Sequence, residues 1–280
     1  MAKTQEVAVV EETALVVQDD SDLLEADAGR DVYDLLDISI PYITILQALS
    51  PQVNKRDGKH VEGAEPGMFY DSATGQVWDG EKGLYVVNVF HSRRYSEWYP
   101  RDSKVGKGLV HNFGHDREAA LKRVLDTKRF PWRTPEDTLI TEAGTYYSLL
   151  MEEPGSLPTQ GLISLTGTQL RKYKNLNTVA GTWRLPRKNG TLYNPIIFSR
   201  AYHMTSIPEQ NDKGNWMGFK FEPGPALVKT RDSKLDANLW PGGRMIYELA
   251  SEFRRQVEGG EVSVQESDAA TPATDDDAPF

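Results

Sequence analysis

Residues 93–107 set cations and aromatic rings close together: Arg93, Arg94, Tyr95, Trp98, Tyr99 and Arg101, then Lys104 and Lys107. On an extended strand, side chains alternate between two faces, so Arg93, Tyr95 and Tyr99 share one side and Arg94 and Trp98 the other. Either side pairs a cation with a ring. Single-stranded nucleic acid needs that pairing, because bases stack on rings while Arg and Lys neutralise phosphates. The competing assignment is a half-buried strand with Trp98 in the core and the arginines outside. A second set comprises Arg171, Lys172 and Lys174, then Trp183, Arg184, Arg187 and Lys188. Asn189 and Gly190 predict a turn there that lifts charge onto a loop tip. A solvated helix face is the alternative, but such faces usually carry compensating Glu, and here there is none. A third set, residues 199–204 with Tyr202 and residues 211–216, reads as paired strands, for which a core role serves equally well.

The charge distribution supports contact with a polyanion. The 280 residues hold 41 acids and 32 bases, a formal net charge of −9. Residues 1–36 are net −8 and residues 259–280 net −6, so the tails take 16 acids and two bases and leave 25 acids and 30 bases between them. From Pro154 to Pro208 there is no Asp or Glu, while Arg171, Lys172, Lys174, Arg184, Arg187, Lys188 and Arg200 all fall inside that span. A surface built for solubility alone mixes signs; a stretch without acids suits the approach of a negatively charged polymer.

Other chemistries find little support. There is no cysteine, so disulfides and thiolate metal sites are excluded. His111 and His115 have the spacing of helical metal ligands, but Asn112, Phe113 and Gly114 argue against a helix, and no carboxylate motif accompanies them. No metal site, cofactor motif, nucleophile elbow or phosphate-cradling glycine loop stands out, and the expectation is a protein that is not an enzyme. No run of about 18 apolar residues predicts a membrane span.

The elements that must position these residues are short strands broken by turns. Residues 38–46, 68–70, 76–78, 83–91 (continuing, bent, to 99), 138–141, 144–151, 161–165, 194–205 and 216–221 have strand character. Helices are expected near 31–36, over 116–125 with Asp116 as cap, over 166–177 opened by Thr166 or Thr168, and over 243–257, where Met245, Ile246, Leu249, Phe253 and Val257 keep helical spacing. The expected class is mainly β with inserted helices (α+β), in the form of a small closed antiparallel barrel. The barrel domain spans 37–258, between a disordered acidic arm at 1–36 and a disordered acidic tail at 259–280.

The tail ends in Asp275, Asp276, Asp277, Ala278, Pro279 and Phe280. Its small, polar approach offers too little apolar surface to offset ordering. The tip reads as a hook, with an aromatic plug and a carboxylate for a partner's pocket and acids for its basic rim. It resembles the acidic C-terminal tip, ending in Pro-Phe, of bacterial single-stranded DNA-binding proteins. The body resembles bacteriophage single-stranded DNA-binding proteins at residues 40–51, 62–68, 77–83, 168–172 and 207–216. That resemblance implies an OB-type barrel in the cytoplasm of an infected host cell, a possible homo-oligomer. It also implies sequence-independent binding of single-stranded DNA, with RNA also admitted, and a tip (Asp275, Asp276, Asp277, Pro279, Phe280) that recruits replication or recombination proteins. A virion or scaffold protein and a strand-annealing recombination protein are the rival readings.

Overall fold

Fifteen residues from Leu84 to Trp98, rich in Val, Tyr and Phe, form one strand on which the main sheet is assembled. The computed structural model describes residues 39–100, 102–128, 132–212 and 214–264. Chain contacts separate residues 1–34 from 35–280, and only the second unit is described below. The expected helix near 31–36 and most of both tails lie outside the described residues.

In chain order the elements are β1 (Ser39–Ile40), β2 (Tyr42–Ile45), β3 (Phe69–Asp71), β4 (Val77–Trp78), β5 (Leu84–Trp98), β6 (Leu109–Gly114), α1 (Arg117–Lys122), β7 (Trp132–Arg133), β8 (Leu139–Met151) and β9 (Thr159–Thr166). They continue as α2 (Leu170–Thr182), β10 (Leu185–Pro186), β11 (Leu192–Tyr193), β12 (Arg200–Asn211), β13 (Gly214–Ala226), α3 (Ser233–Asp236), α4 (Gly243–Gly259) and β14 (Ser263–Val264). The chain is thus mainly β with a few helices. The large sheet runs β13-β12-β5-β8-β9-β2-β3-β4, with β6 added to β5 and β7 to β8.

The expected closed antiparallel barrel needs correction. The sheet curls into a half-barrel, and β2 pairs with β9 in parallel through Tyr42 opposite Leu162 and Ile43 opposite Ile163. Among the described residues no backbone ladder joins its two ends. A side chain spans part of the gap: the Gln47 amide donates to the Met217 carbonyl at 2.9 Å and accepts from the Met217 N–H at 2.8 Å. Gln169 accepts from the Phe219 N–H at 3.0 Å. Further along β13, Pro223 and Pro225 have no N–H to offer, so its outer edge is blunted against stray strand pairing.

Alternation sends most side chains of the central strands to two separate cores. Ile43, Phe69, Val86, Tyr146, Leu165, Met204 and Phe219 fill the inside of the curl together with Leu170, Tyr173 and Leu176 of α2. On the other face Val87, Val89, Tyr147, Leu149 and Phe198 pack against Ile246, Ala250 and Phe253 of α4. Ile246 and Phe253 therefore face inward as expected, whereas Met245 and Leu249 stay 45% and 43% exposed, because the buried stripe runs through Ala250 instead.

Three boundaries differ from expectation. Residues 139–151 form one strand rather than two, with Gly144 in its middle. Helix α2 starts at Leu170 after a 3-10 turn at Gly167–Gln169 and runs to Thr182; neither Thr166 nor Thr168 supplies a side-chain cap. Residues Ile197–Ser199 form a 3-10 turn, so that strand begins at Arg200. Asp116 does cap α1, accepting from the Ala119 N–H at 2.9 Å.

Gly144 explains how α2 reaches the sheet. A Cβ there would sit 2.4 Å from the Tyr173 ring, so the ring lies directly on bare backbone. Gly144→Ala is expected to push Tyr173 outward and cost about 1–3 kcal/mol. Chemical denaturation measures this as a lowered midpoint at unchanged slope; an unaltered midpoint would show that the ring contact does not constrain the helix.

Candidate nucleic-acid interface

Helix α2 turns Leu170, Tyr173 and Leu176 inward, so its 3.6-residue period places Arg171, Lys174, Asn175, Thr178 and Thr182 on the outer side. Its first turn contains no acid but does contain Arg171 and Lys172. The positive end of a helix disfavours cations there, by about 0.3–1 kcal/mol at an exposed site. At the opposite end, Arg184 donates to the carbonyls of Gly181 and Trp183 at 2.7 and 2.9 Å. Asn194 holds the following loop to the helix by donating to the carbonyls of Ala180 and Trp183.

Beyond the helix, β10 and β11 form a hairpin whose tip carries Arg187 and Lys188, with Gly190 at φ 79°. The Arg187 guanidinium lies 5.0 Å from the Tyr193 ring centroid. Arg200 sits between two rings, 4.7 Å from Trp183 and 5.8 Å from Tyr202, and donates to the Gly224 carbonyl at 2.7 Å. Burial lowers its pKa, with Tyr202 opposing. Among the described residues, Lys172 alone of the seven cations in the acid-free span lies within ion-pair distance of a carboxylate; Arg171, Lys174, Arg184, Arg187, Lys188 and Arg200 do not.

The Lys172 partner is Glu209, at 2.5 Å across a groove of about 500 Å³ between α2 and the β12–β13 hairpin. Arg171, Lys172 and Asn175 line one wall, and Glu209, Gln210 and Trp216 the other. Glu209 also accepts from the Gln169 amide at 2.8 Å and the Trp216 indole N–H at 2.9 Å. Burial would raise the Glu209 pKa, but Lys172 and the bonds from Gln169 and Trp216 outweigh it and hold the carboxyl below its ordinary 4.5. Sequence reading placed Trp216 in a candidate strand pair without assigning it to the site, and did not single out Glu209. The one available signal was that Glu209 is the first acid after the acid-free span.

The first sequence candidate is divided by the sheet. Arg93 pairs with Glu142 at 3.0 Å and lies 5.9 Å from the Tyr173 ring centroid, on the α2 side. Arg94 points to the other face and donates to the Tyr147 hydroxyl at 3.2 Å. Tyr95 is only 2% exposed, stacked 6.3 Å from Trp132 in a third core with Ala120 and Ile140, so its ring is closed to a base. Tyr202, at 1%, is likewise closed and serves as backing for Arg200. Trp98 is half-buried with its indole donating to Thr141 at 3.1 Å, and Tyr99 is half-buried, its N–H donating to the Gly108 carbonyl. Lys104 and Lys107 are exposed. Arg101 and the tip residues Asp275, Asp276, Asp277, Pro279 and Phe280 lie outside the described residues. The structure therefore gathers the second candidate set around α2 and leaves much of the first on a separate arm of the sheet.

A curled β-sheet with a helix whose cations, Lys172 apart, lie beyond ion-pair distance of any carboxylate among the described residues defines this chain as an α+β protein with a basic helix face. The family model described as Pam3 phage gp34-like protein matches residues 10–263, and the chain belongs to that bacteriophage-related family. No curated protein and no solved structure matches it.

Because the folded pKa of Glu209 lies below its unfolded value, its ion pair stabilises the protein above the ordinary carboxylate pKa. That contribution fades as pH falls through the lower, folded value. Thermal melts from pH 6 down to 3 should therefore show a smaller acid-induced loss of Tm in Glu209→Gln than in the parent. Identical losses would mean that the Lys172 pair adds nothing.

Proposed function

We propose that this protein binds single-stranded DNA along the outer face of α2, largely without sequence preference. The observation that carries the reading is the set of six cations without an ion-pair partner among the described residues, interleaved with Trp183 and Tyr193 in a stretch free of acids. Rings that flank cations offer stacking worth roughly 1–3 kcal/mol per base, and Arg and Lys supply the phosphate contacts. Lys104 and Lys107, exposed on the β5–β6 loop, offer further phosphate contacts on the separate arm of the sheet. The curled sheet supports an OB-like architecture as the platform.

The bacteriophage family and the resemblance of the tip support a role in phage replication or recombination inside the infected cell. The acidic tip would recruit a partner enzyme, and the protein itself would perform no catalysis.

Fluorescence anisotropy with labelled single-stranded and duplex oligonucleotides at two salt concentrations tests this. Single strands should bind more tightly, and affinity should fall steeply with salt. Replacing Lys174, Arg187 and Lys188 together by Gln should flatten the log–log salt slope by roughly 0.7 for each phosphate no longer neutralised. Equal affinity for duplex, or a slope unmoved by the triple replacement, would overturn the reading; indifference to strandedness is what a virion or scaffold protein would show.

A further inference from the structure

The groove between α2 and the β12–β13 hairpin differs from the rest of the cationic face. Elsewhere cations meet single rings or solvent, whereas here an aromatic ring, two amides, two cations and a carboxylate converge on one concave volume of about 500 Å³, large enough for a nucleotide. Trp216 is half-buried, and its indole edge is fixed because its N–H donates to Glu209 at 2.9 Å. Glu209 is held in turn by Lys172 and Gln169. This relay, from α2 through Glu209 to the hairpin, sets the plane of the ring before any ligand arrives.

We propose that the groove is a nucleotide subsite: a base stacks on Trp216, the amides of Asn175 and Gln210 reach its polar edge, and Arg171 contacts its phosphate. Glu209 is a positioning residue that orients the indole. The proposal rests on the single-strand reading above and adds a fixed anchoring point to a path otherwise made of dispersed charges. A carboxamide presents both a donor and an acceptor, so the site accepts more than one base; the paired donor and acceptor on the edge of adenine make the best match for Asn or Gln. Arg171 carries no ion pair among the described residues, which leaves its guanidinium available to the phosphate.

The experiment uses the full chain, labelled with ¹⁵N, and follows its indole N–H resonances while the tetranucleotides dA4 and dT4 are added. The Trp216 signal is assigned by its disappearance in Trp216→Phe. The expected result is a saturable shift of that resonance with both tetranucleotides, at lower concentration for dA4. Arg171→Gln should weaken the titration several-fold. Glu209→Gln keeps an acceptor for the indole and should retain binding within about threefold, whereas Glu209→Ala releases the ring and should weaken it by five-fold or more. A merely structural carboxylate would weaken binding only in step with the loss of Tm, so two variants titrated at a temperature where both are fully folded would not separate. If the Trp216 resonance stays still while a longer oligonucleotide binds with a steep salt dependence, the subsite is wrong and the single-strand reading survives. If no oligonucleotide binds, both fall.

Discussion

The contact between the Tyr173 ring and the bare backbone of Gly144 governs the placement of the cationic face. It brings α2 against the curl of the sheet closely enough for the Tyr146 hydroxyl to donate to Asn177 Oδ1 at 2.8 Å, with the Tyr173 carbonyl 3.2 Å from the same oxygen. The Tyr173 hydroxyl also lies 3.0 Å from Nδ1 of His91 on β5. Rotation of the helix about its axis is thereby fixed. Since Tyr173 must face the sheet, Arg171, Lys174 and Asn175 must face away from it. The electrostatics of the surface are a consequence of one packing contact, and the direction of every outer side chain of α2 follows from it.

The same rigidity separates two kinds of cation. Arg93 with Glu142, and Arg123 with Glu97, are ion pairs whose carboxylates are buried; removing one partner from such a pair leaves an uncompensated charge, so these arginines are tied to the fold. Lys172 apart, the cations around α2 have no such obligation among the described residues. Arg184 engages carbonyls, Arg187 and Arg200 engage rings, and none of the three lies within ion-pair distance of an acid among the described residues. That division, more than the count of basic residues, distinguishes a surface able to hold a polyanion from one that is only basic in composition.

Much of this was legible in the sequence because it is local. Turn residues and β-branched alternation marked the β3–β4 hairpin, the long β5 and the turn at 211–214. Asp116 identified its own helix start, and the missing acids pointed to α2. What failed was non-local. Gly144 looked like a break between strands because its lack of a side chain weakens a strand; its use becomes visible only with Tyr173 lying above it. Tyr95 looked like a stacking platform, and Tyr202 was open to that role or to the core, because a tyrosine reads alike on either side of a strand. Burial of Tyr95 depends on Trp132, 37 positions away, which no local pattern announces. The groove required Glu209 and Trp216 to meet α2 across the sheet, a contact set by the curl that links Gln47 to Met217. Full antiparallel closure was not legible for a related reason: pairing order and closure are properties of the whole sheet, whereas alternation reports only one strand at a time.

Glu209 is the apparent contradiction, an acid inside the most basic region, and its reach resolves it. Its two oxygens are already engaged by Lys172, Gln169 and Trp216, so its charge is spent within the groove wall. Screening at physiological ionic strength confines an exposed charge to about 8 Å. The 13 residues of α2 extend roughly 20 Å at 1.5 Å per residue, so the far end of the helix and the hairpin beyond it lie outside that range. One carboxylate therefore offsets the unfavourable placement of Lys172 in the first turn without discharging the surface beyond it. A carboxylate beside Arg184, at the far end of the helix, would neutralise the proposed strand path rather than brace its edge.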